Sequence, residues 1–170
     1  MRELKIPRQR VAILIGIKGN TKKLLEKKLK IKLDVSKEGD IIINGEELDA
    51  YLAERIIKAI GRGFNPVIAL TLTNEEKSLE IINIKDFSGK SKKKLTRIKA
   101  RVIGREGRAR ELIELLTKTD IVIYGKTVAM IGDIEKALIA KIAIEKLLNG
   151  SPHGNVYKYI EEEIKKRKWL

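Results

Sequence analysis

The chain has 170 residues, 43% hydrophobic and 35% charged, which suits a globular protein of one or two domains with a modest core in each. Its 37 Lys and Arg outnumber 23 Asp and Glu for a net charge of +14, an excess that points to a polyanionic partner, nucleic acid before anionic membrane. The absence of cysteine excludes disulfides and thiolate metal sites, no run of about 18 apolar residues offers a membrane span, and Met1-Arg2-Glu3-Leu4-Lys5 lacks the apolar core of a signal peptide.

In chain order, Leu4–Ile6 reads as a short strand, and Pro7 opens a helix where its missing N–H is not needed. Val11, Ile13, Leu14 and Ile15 give that helix an apolar face up to Gly16-Ile17-Lys18-Gly19. Asn20 or Thr21 is placed to cap the next helix, whose apolar positions are Leu24, Leu25 and Leu29. The period then changes to two: Ile31, Leu33 and Val35 alternate with Lys32 and Asp34, and a turn around Gly39 leads to a second strand, Ile41–Ile43. Leu48, Leu52, Ile56 and Ile60 mark a helix from Glu46 to Ile60. Gly61-Arg62-Gly63-Phe64 breaks it, and Asn65-Pro66 reads as cap and first residue of a short helix, Val67–Leu72.

Leu79–Ile84 is the next expected strand, Asp86–Gly89 a loop, and Ser91 the cap of a helix reaching Ile103. Gly104-Arg105-Glu106-Gly107 interrupts, and Ala109–Thr117 resumes as helix. Ile121–Tyr124 and Thr127–Ile131 read as strands joined at Gly125, and Ile134, Leu138 and Ile142 mark a helix to about Leu148. Gly150-Ser151-Pro152 stops it, and a charged helical tail runs from Val156 to Trp169. The expected domains are 1–63 and 79–150, with a linker at 64–78 and a tail at 151–170.

The chain repeats itself with a shift of 88 residues and no gap. Gly16 and Gly19 fall on Gly104 and Gly107, Ile15 on Ile103, Glu26 on Glu114, Lys30 on Lys118, Leu33 on Ile121, Val35 on Ile123 and Ile56 on Ile144. A glycine takes φ > 0 and lets the backbone approach another molecule, and the helix after each loop offers free N–H groups and the positive end of its dipole. That combination suits a phosphate. Arg101, Arg105, Arg108 and Arg110 surround the second loop, while Lys18 and Lys22 attend the first. Between positions 88 and 110 stand ten basic residues and one acid, Glu106; between 1 and 22 stand six and one acid, Glu3. The second loop is therefore expected to dominate anion binding, and the apolar Ile17 leaves the first open to RNA or to a protein contact.

Each copy reads as strand, helix, glycine loop, helix, strand, strand, helix. With Ile15-Gly16-Ile17-Lys18-Gly19 and Ile103-Gly104-Arg105-Glu106-Gly107, this resembles the type I KH domain found in eukaryotes and archaea. The resemblance implies an α+β fold of two tandem type I KH domains, each βααββα with a three-stranded antiparallel sheet packed on helices, plus a short C-terminal helix. The linker Gly63-Phe64-Asn65-Pro66 and the ending Asn149-Gly150-Ser151-Pro152 with Val156-Tyr157 are similar to the archaeal branch of the Pno/Dim (partner of Nob) family of small-subunit ribosome-assembly factors. Glu106 departs from the pattern by placing an acid in the loop. The resemblance implies single-stranded RNA as partner, bound near the 3′ end of small-subunit rRNA, with the Nob endoribonuclease and the alpha subunit of translation initiation factor two as protein partners, in the cytoplasm and away from membrane. A KH loop clamps about four backbone nucleotides. The bases would lie on Ile103, Ile113, Ile121 and Ile123 in copy two and on Ile15, Ile31 and Leu33 in copy one, positions that equally suit a core.

Rival functions find less support. Gly89-Lys90-Ser91 and Gly125-Lys126-Thr127 end like a P-loop, but the required leading glycine is replaced by Ile84 and Asp120. Asp34, Asp40, Asp86, Asp120 and Asp133 are scattered and form no nuclease motif, and His153, the only histidine, has no neighbouring cluster for a metal or for catalysis. No enzyme activity, cofactor or metal is expected. Another KH protein, an exosome-like subunit or a translational regulator, is the nearest alternative, and a protein-binding scaffold the alternative of another class.

Overall fold

The computed structural model describes residues 1–168. They fall into two units, Met1–Glu75 and a second beginning at Glu76, both mixed α+β and each built around a three-stranded antiparallel sheet.

The first unit runs β1 (Arg2–Lys5), α1 (Val11–Ile15), α2 (Asn20–Leu29), β2 (Lys32–Val35), β3 (Asp40–Asn44), α3 (Glu47–Gly61) and α4 (Pro66–Ala69). Its strand order is β1-β3-β2, with Leu4 opposite Ile41 and Leu33 opposite Ile43. Alternation turns Leu33, Ile41 and Ile43 inward, and the 3.6-residue period of α3 lays Ala50, Ala53, Ile56, Ile57 and Ile60 into the same core. Burying each such Ile is worth about 1.5–3 kcal/mol.

Several local expectations are corrected here. β1 stops at Lys5 because Ile6 donates its N–H to the Gly39 carbonyl, 2.9 Å away in the β2–β3 turn, and Pro7 has no donor to continue. Neither Asn20 nor Thr21 caps α2: the N-cap residue is Gly19, and Asn20 is already helical. Asn65 does cap α4, accepting from Val67 N at 2.8 Å, but the helix tightens after Ala69 into a 3₁₀ turn, Leu70–Thr73. This stretch, expected as linker, belongs to the first unit up to Glu75, with Phe64 and Leu72 buried in it.

The second unit runs β4 (Lys77–Asn83), α5 (Lys85–Ser88), α6 (Lys92–Ile103), α7 (Arg108–Thr117), β5 (Asp120–Tyr124), β6 (Thr127–Asp133), α8 (Ile134–Leu148) and α9 (His153–Arg167). The strand order β4-β6-β5 repeats that of the first sheet. Ile82, Ile84, Val102, Ile113, Val128, Met130, Ile144 and Leu147 form its core. The tail helix α9 joins that core through the fully buried Val156 and Ile160; Trp169 lies outside the described residues. The segment expected as a loop at Asp86–Gly89 is instead the one-turn helix α5, started by the Asn83 side chain accepting from Lys85 N at 3.1 Å and ended by Gly89 at φ +61°. Ser91 caps α6 through Lys94 N at 3.1 Å. Among the described residues no helix is long and apolar enough to cross a membrane.

Candidate nucleic-acid interface

The two glycine loops adopt one conformation. Gly16 and Gly104 have φ, ψ of 75°, 176° and 76°, 173°; Lys18 and Glu106 have 54°, 28° and 55°, 28°; Gly19 and Gly107 have 74°, 13° and 77°, 7°. Three residues of each loop therefore hold positive φ, and one of the three is not glycine.

The two glycines of a loop are needed for different reasons. A Cβ on Gly104 would stand 2.5 Å from the Ala109 Cβ, and one on Gly16 would collide with the Thr21 side chain. The first glycine is thus required by the helix that follows. A Cβ on Gly19 would meet nothing within 4 Å, and one on Gly107 only side-chain tips 3.9 Å away. The second glycine faces open space, where a ligand has room to approach its backbone. The loop's own hydrogen bonds begin late, at Gly107 N to Gly104 O and Arg108 N to Arg105 O. The N–H groups of Arg105 and Glu106 precede them, at the N-terminus of a ten-residue helix.

The charged residues expected at the second loop divide. Arg105 is exposed and has no partner among the described residues. Arg108 pairs at 3.3 Å with the exposed Glu106, a weak and breakable contact. Arg110 leans back on Glu114 and, at 3.8 Å, on Glu111. Arg101 does not face the loop. Its guanidinium donates to the carbonyls of Leu147 and Ser151, and its own carbonyl bonds His153 Nε2 at 2.8 Å. One acceptor lies in the last turn of α8 and the other just beyond the helix, so the lone histidine and this arginine together tie α6 to the α8–α9 turn. Arg10 does the equivalent in the first unit, donating to Ile60 O and Phe64 O at 2.8 and 2.9 Å. At the first loop Lys18 is exposed, Lys22 half-buried, and Ile17 82% exposed.

The aliphatic groove is narrower than expected. Ile31, Leu33, Ile113 and Ile121 are buried in the cores and offer no surface to a base. Ile15, Ile103 and Ile123 remain partly accessible. Beside them β2 and β5 each form one edge of their sheets. One feature escaped the sequence reading: the Glu26 carboxylate accepts Leu33 N–H at 2.9 Å, and Glu114 accepts Ile121 N–H at 2.8 Å. Each acid caps an edge-strand donor and fixes α2 or α7 against its strand. Its only sequence signal is the recurrence of Glu at the 88-residue shift. Among the described residues no group of three or more His, Cys, Asp or Glu lies close enough to hold a metal ion.

Residues 78–165 match the family model of the second KH domain of PNO1, described as eukaryotic type KH-domain (KH-domain type I). A KH domain-containing protein of Methanocaldococcus jannaschii is 46% identical over 170 residues, covering 97% of this chain and 74% of that protein. The pre-rRNA-processing protein PNO1 of Coccidioides immitis is 31% identical over 105 residues, 61% of this chain and 41% of its own, so the chain spans less than half of that relative. A chain in the crystal structure of an a/eIF2alpha–aDim2p–rRNA complex from Pyrococcus horikoshii superposes with a TM-score of 0.88 at 45% identity, covering 97% of this chain and 94% of that one.

Proposed function

The chain belongs to the PNO1 family of type I KH domains, and from that premise we propose that it is a non-catalytic, single-stranded RNA-binding factor of small ribosomal subunit assembly. Both units, in this reading, are KH domains in tandem, 1–63 and 79–150 by the sequence, with the stretch up to Glu75 added to the first and α9 added to the second. The observation that carries it is the pair of glycine loops with matching dihedrals, 88 residues apart, each ahead of a ten-residue helix in a chain of net charge +14.

Phosphates approach the open side of Gly107 and meet the N–H groups of Arg105 and Glu106. Arg105 forks onto one of them with two donors, and Arg108 is recruited when its pair with Glu106 opens. Bases lie against Ile103 and Ile123 beside the β5 edge. Gly16, Ile17, Lys18, Gly19 and Lys22 make the weaker, first-unit counterpart, with fewer cations and an apolar Ile17 that is 82% exposed at its tip. The target is the 3′ region of small-subunit rRNA, with the Nob nuclease and the alpha subunit of initiation factor two as neighbours in the cytoplasm. The a/eIF2alpha–aDim2p–rRNA complex holding the Pyrococcus relative supports the RNA and the initiation factor.

The test is a salt titration of binding to single-stranded RNA. Neutralising about five phosphates gives a slope of log K against log salt of roughly −3.5. A slope near zero, or equal affinity for a perfect duplex, would overturn the reading.

A further inference from the structure

In the first unit α2 leaves its glycine loop and ends ten residues later at Leu29. Along that helix and past its end an open cleft of about 630 Å³ is lined by Lys23, Glu26, Lys27, Lys30, Lys32 and Asn44. Glu26 is its one acid, and that carboxylate is already engaged by Leu33 N–H. None of the four lysines forms an ion pair among the described residues. At the positions 88 residues on, the second unit carries Glu111, Glu114, Leu115, Lys118, Asp120 and Gly132. Four cations and one acid have become one cation and three acids at matched places of one fold.

Folding does not account for the lysines. Basic residues in a last helical turn complement the helix dipole. Yet α7 has none in its last turn and ends in the same geometry, Lys118 at φ 52°, ψ 43° against Lys30 at 56°, 45°. Lys23 and Lys27 stand one turn apart, a like-charge spacing that weakens a helix. A concentration of unneutralised ammoniums that the fold neither needs nor favours implies a ligand that supplies the negative charge.

We propose that this cleft is a second phosphate-backbone site for RNA, confined to the first unit and distinct from its glycine loop. The proposal rests on the RNA-binding reading above. Lysine suits it as a flexible point charge that binds phosphate without reading sequence. The rise of α2, about 1.5 Å per residue, spreads these lysines from about 6 Å (Lys23) to about 16 Å (Lys30) beyond the loop along the same helix. A strand leaving the loop covers the span to the last of them in about five nucleotides at a stacked spacing of about 3.4 Å. The first unit thus guides RNA along α2, while the second, acidic at the matched place, holds RNA at its loop alone.

The experiment compares the full chain with Lys23→Glu/Lys27→Leu/Lys32→Asp, which installs residues the second unit already folds with. Fluorescence anisotropy against a 16-nucleotide single-stranded RNA should show at least a tenfold loss and a salt slope shallower by about 2, from three lost contacts at about 0.7 each. A four-nucleotide RNA, enough for one glycine loop, should bind unchanged. Should circular dichroism show the triple variant unfolded, Lys23→Gln/Lys27→Gln/Lys32→Gln takes its place, with a smaller loss of the same sign. A control with Arg105→Asp and Lys18→Asp separates the two claims. If the control loses the 16-mer and the triple variant matches wild type, the second site is overturned and the RNA reading stands. If neither changes binding, both fall. Poly-glutamate that competes as well as RNA of equal charge would overturn the assignment to RNA.

Discussion

Replacing the two glycines of the second loop by alanine, one at a time, should separate packing from ligand binding. At Gly104 the new methyl lies 2.5 Å from the Ala109 Cβ and 2.6 Å from its backbone nitrogen, both close to immovable. Overpacking of that kind costs about 1–3 kcal/mol. The backbone, at φ 76°, ψ 173°, is in a region essentially reserved for glycine, which adds about 1–3 kcal/mol. Gly104→Ala should therefore destabilise the second unit by about 4 kcal/mol. At Gly107 the methyl enters open space, and only the left-handed backbone at φ 77°, ψ 7° resists, at about 1–2 kcal/mol. At about 2–4 °C per kcal/mol, the melting temperature should fall by roughly 8–16 °C for Gly104→Ala and roughly 3–6 °C for Gly107→Ala. RNA affinity, measured on protein still folded, should instead fall at least tenfold for Gly107→Ala, because the methyl occupies the phosphate's approach. Thermal melting by circular dichroism and anisotropy at low salt read the two effects. Equal melting losses, or a larger one at Gly107, would refute the division of labour between the glycines.

Turning each loop's middle pair to Asp-Asp should hurt more in the second loop: Arg105→Asp/Glu106→Asp ought to cost about 1.5–3 kcal/mol of RNA affinity, more than Ile17→Asp/Lys18→Asp, and the reverse order in anisotropy would contradict the ranking of the loops. Glu114→Ala leaves Ile121 N–H unbonded beside the core and should lower urea stability by about 1–3 kcal/mol, whereas a change below about 0.5 kcal/mol would mean water replaces the carboxylate. The Lys77 ammonium, hydrogen-bonded 3.0 Å away, holds the Asp133 carboxyl below its ordinary range. Because the folded value is the lower one, this pair stabilises above about pH 4 and the benefit disappears as acid takes the pH down through the folded value; Asp133→Asn should flatten melting temperature against pH on the acid side of about pH 4, and an unaltered acid limb would count against it. Purified protein should neither cleave RNA nor turn over ATP, and robust activity that co-purifies across independent preparations would reverse the non-catalytic assignment.

Much of the fold was legible because it depends on near neighbours. The alternation of Ile31, Leu33 and Val35, the helix marked by Leu52, Ile56 and Ile60, and the caps at Asn65 and Ser91 are set within a few residues and appear where expected, though Leu48 at the start of that helix is 83% exposed. The glycine loops were legible for the same reason, since positive φ is a property of the residue, and the 88-residue recurrence marked both. The exceptions have causes at longer range: β1 ends early because Ile6 bonds a turn 33 residues away.

By itself the sequence determined the element types, the two loops and the basic character that points to a polyanion. Tertiary structure alone decided which identical-looking residues serve the site. Ile121 and Ile123 share a strand and a residue type, yet one is buried in the core and the other is left partly accessible. Arg101 and Arg105 are four residues apart, but Arg101 is held by carbonyls 46 and 50 residues further on, while Arg105 has no such partner. Burial and the partner of a guanidinium depend on groups brought close only by folding, and no local pattern encodes that distance.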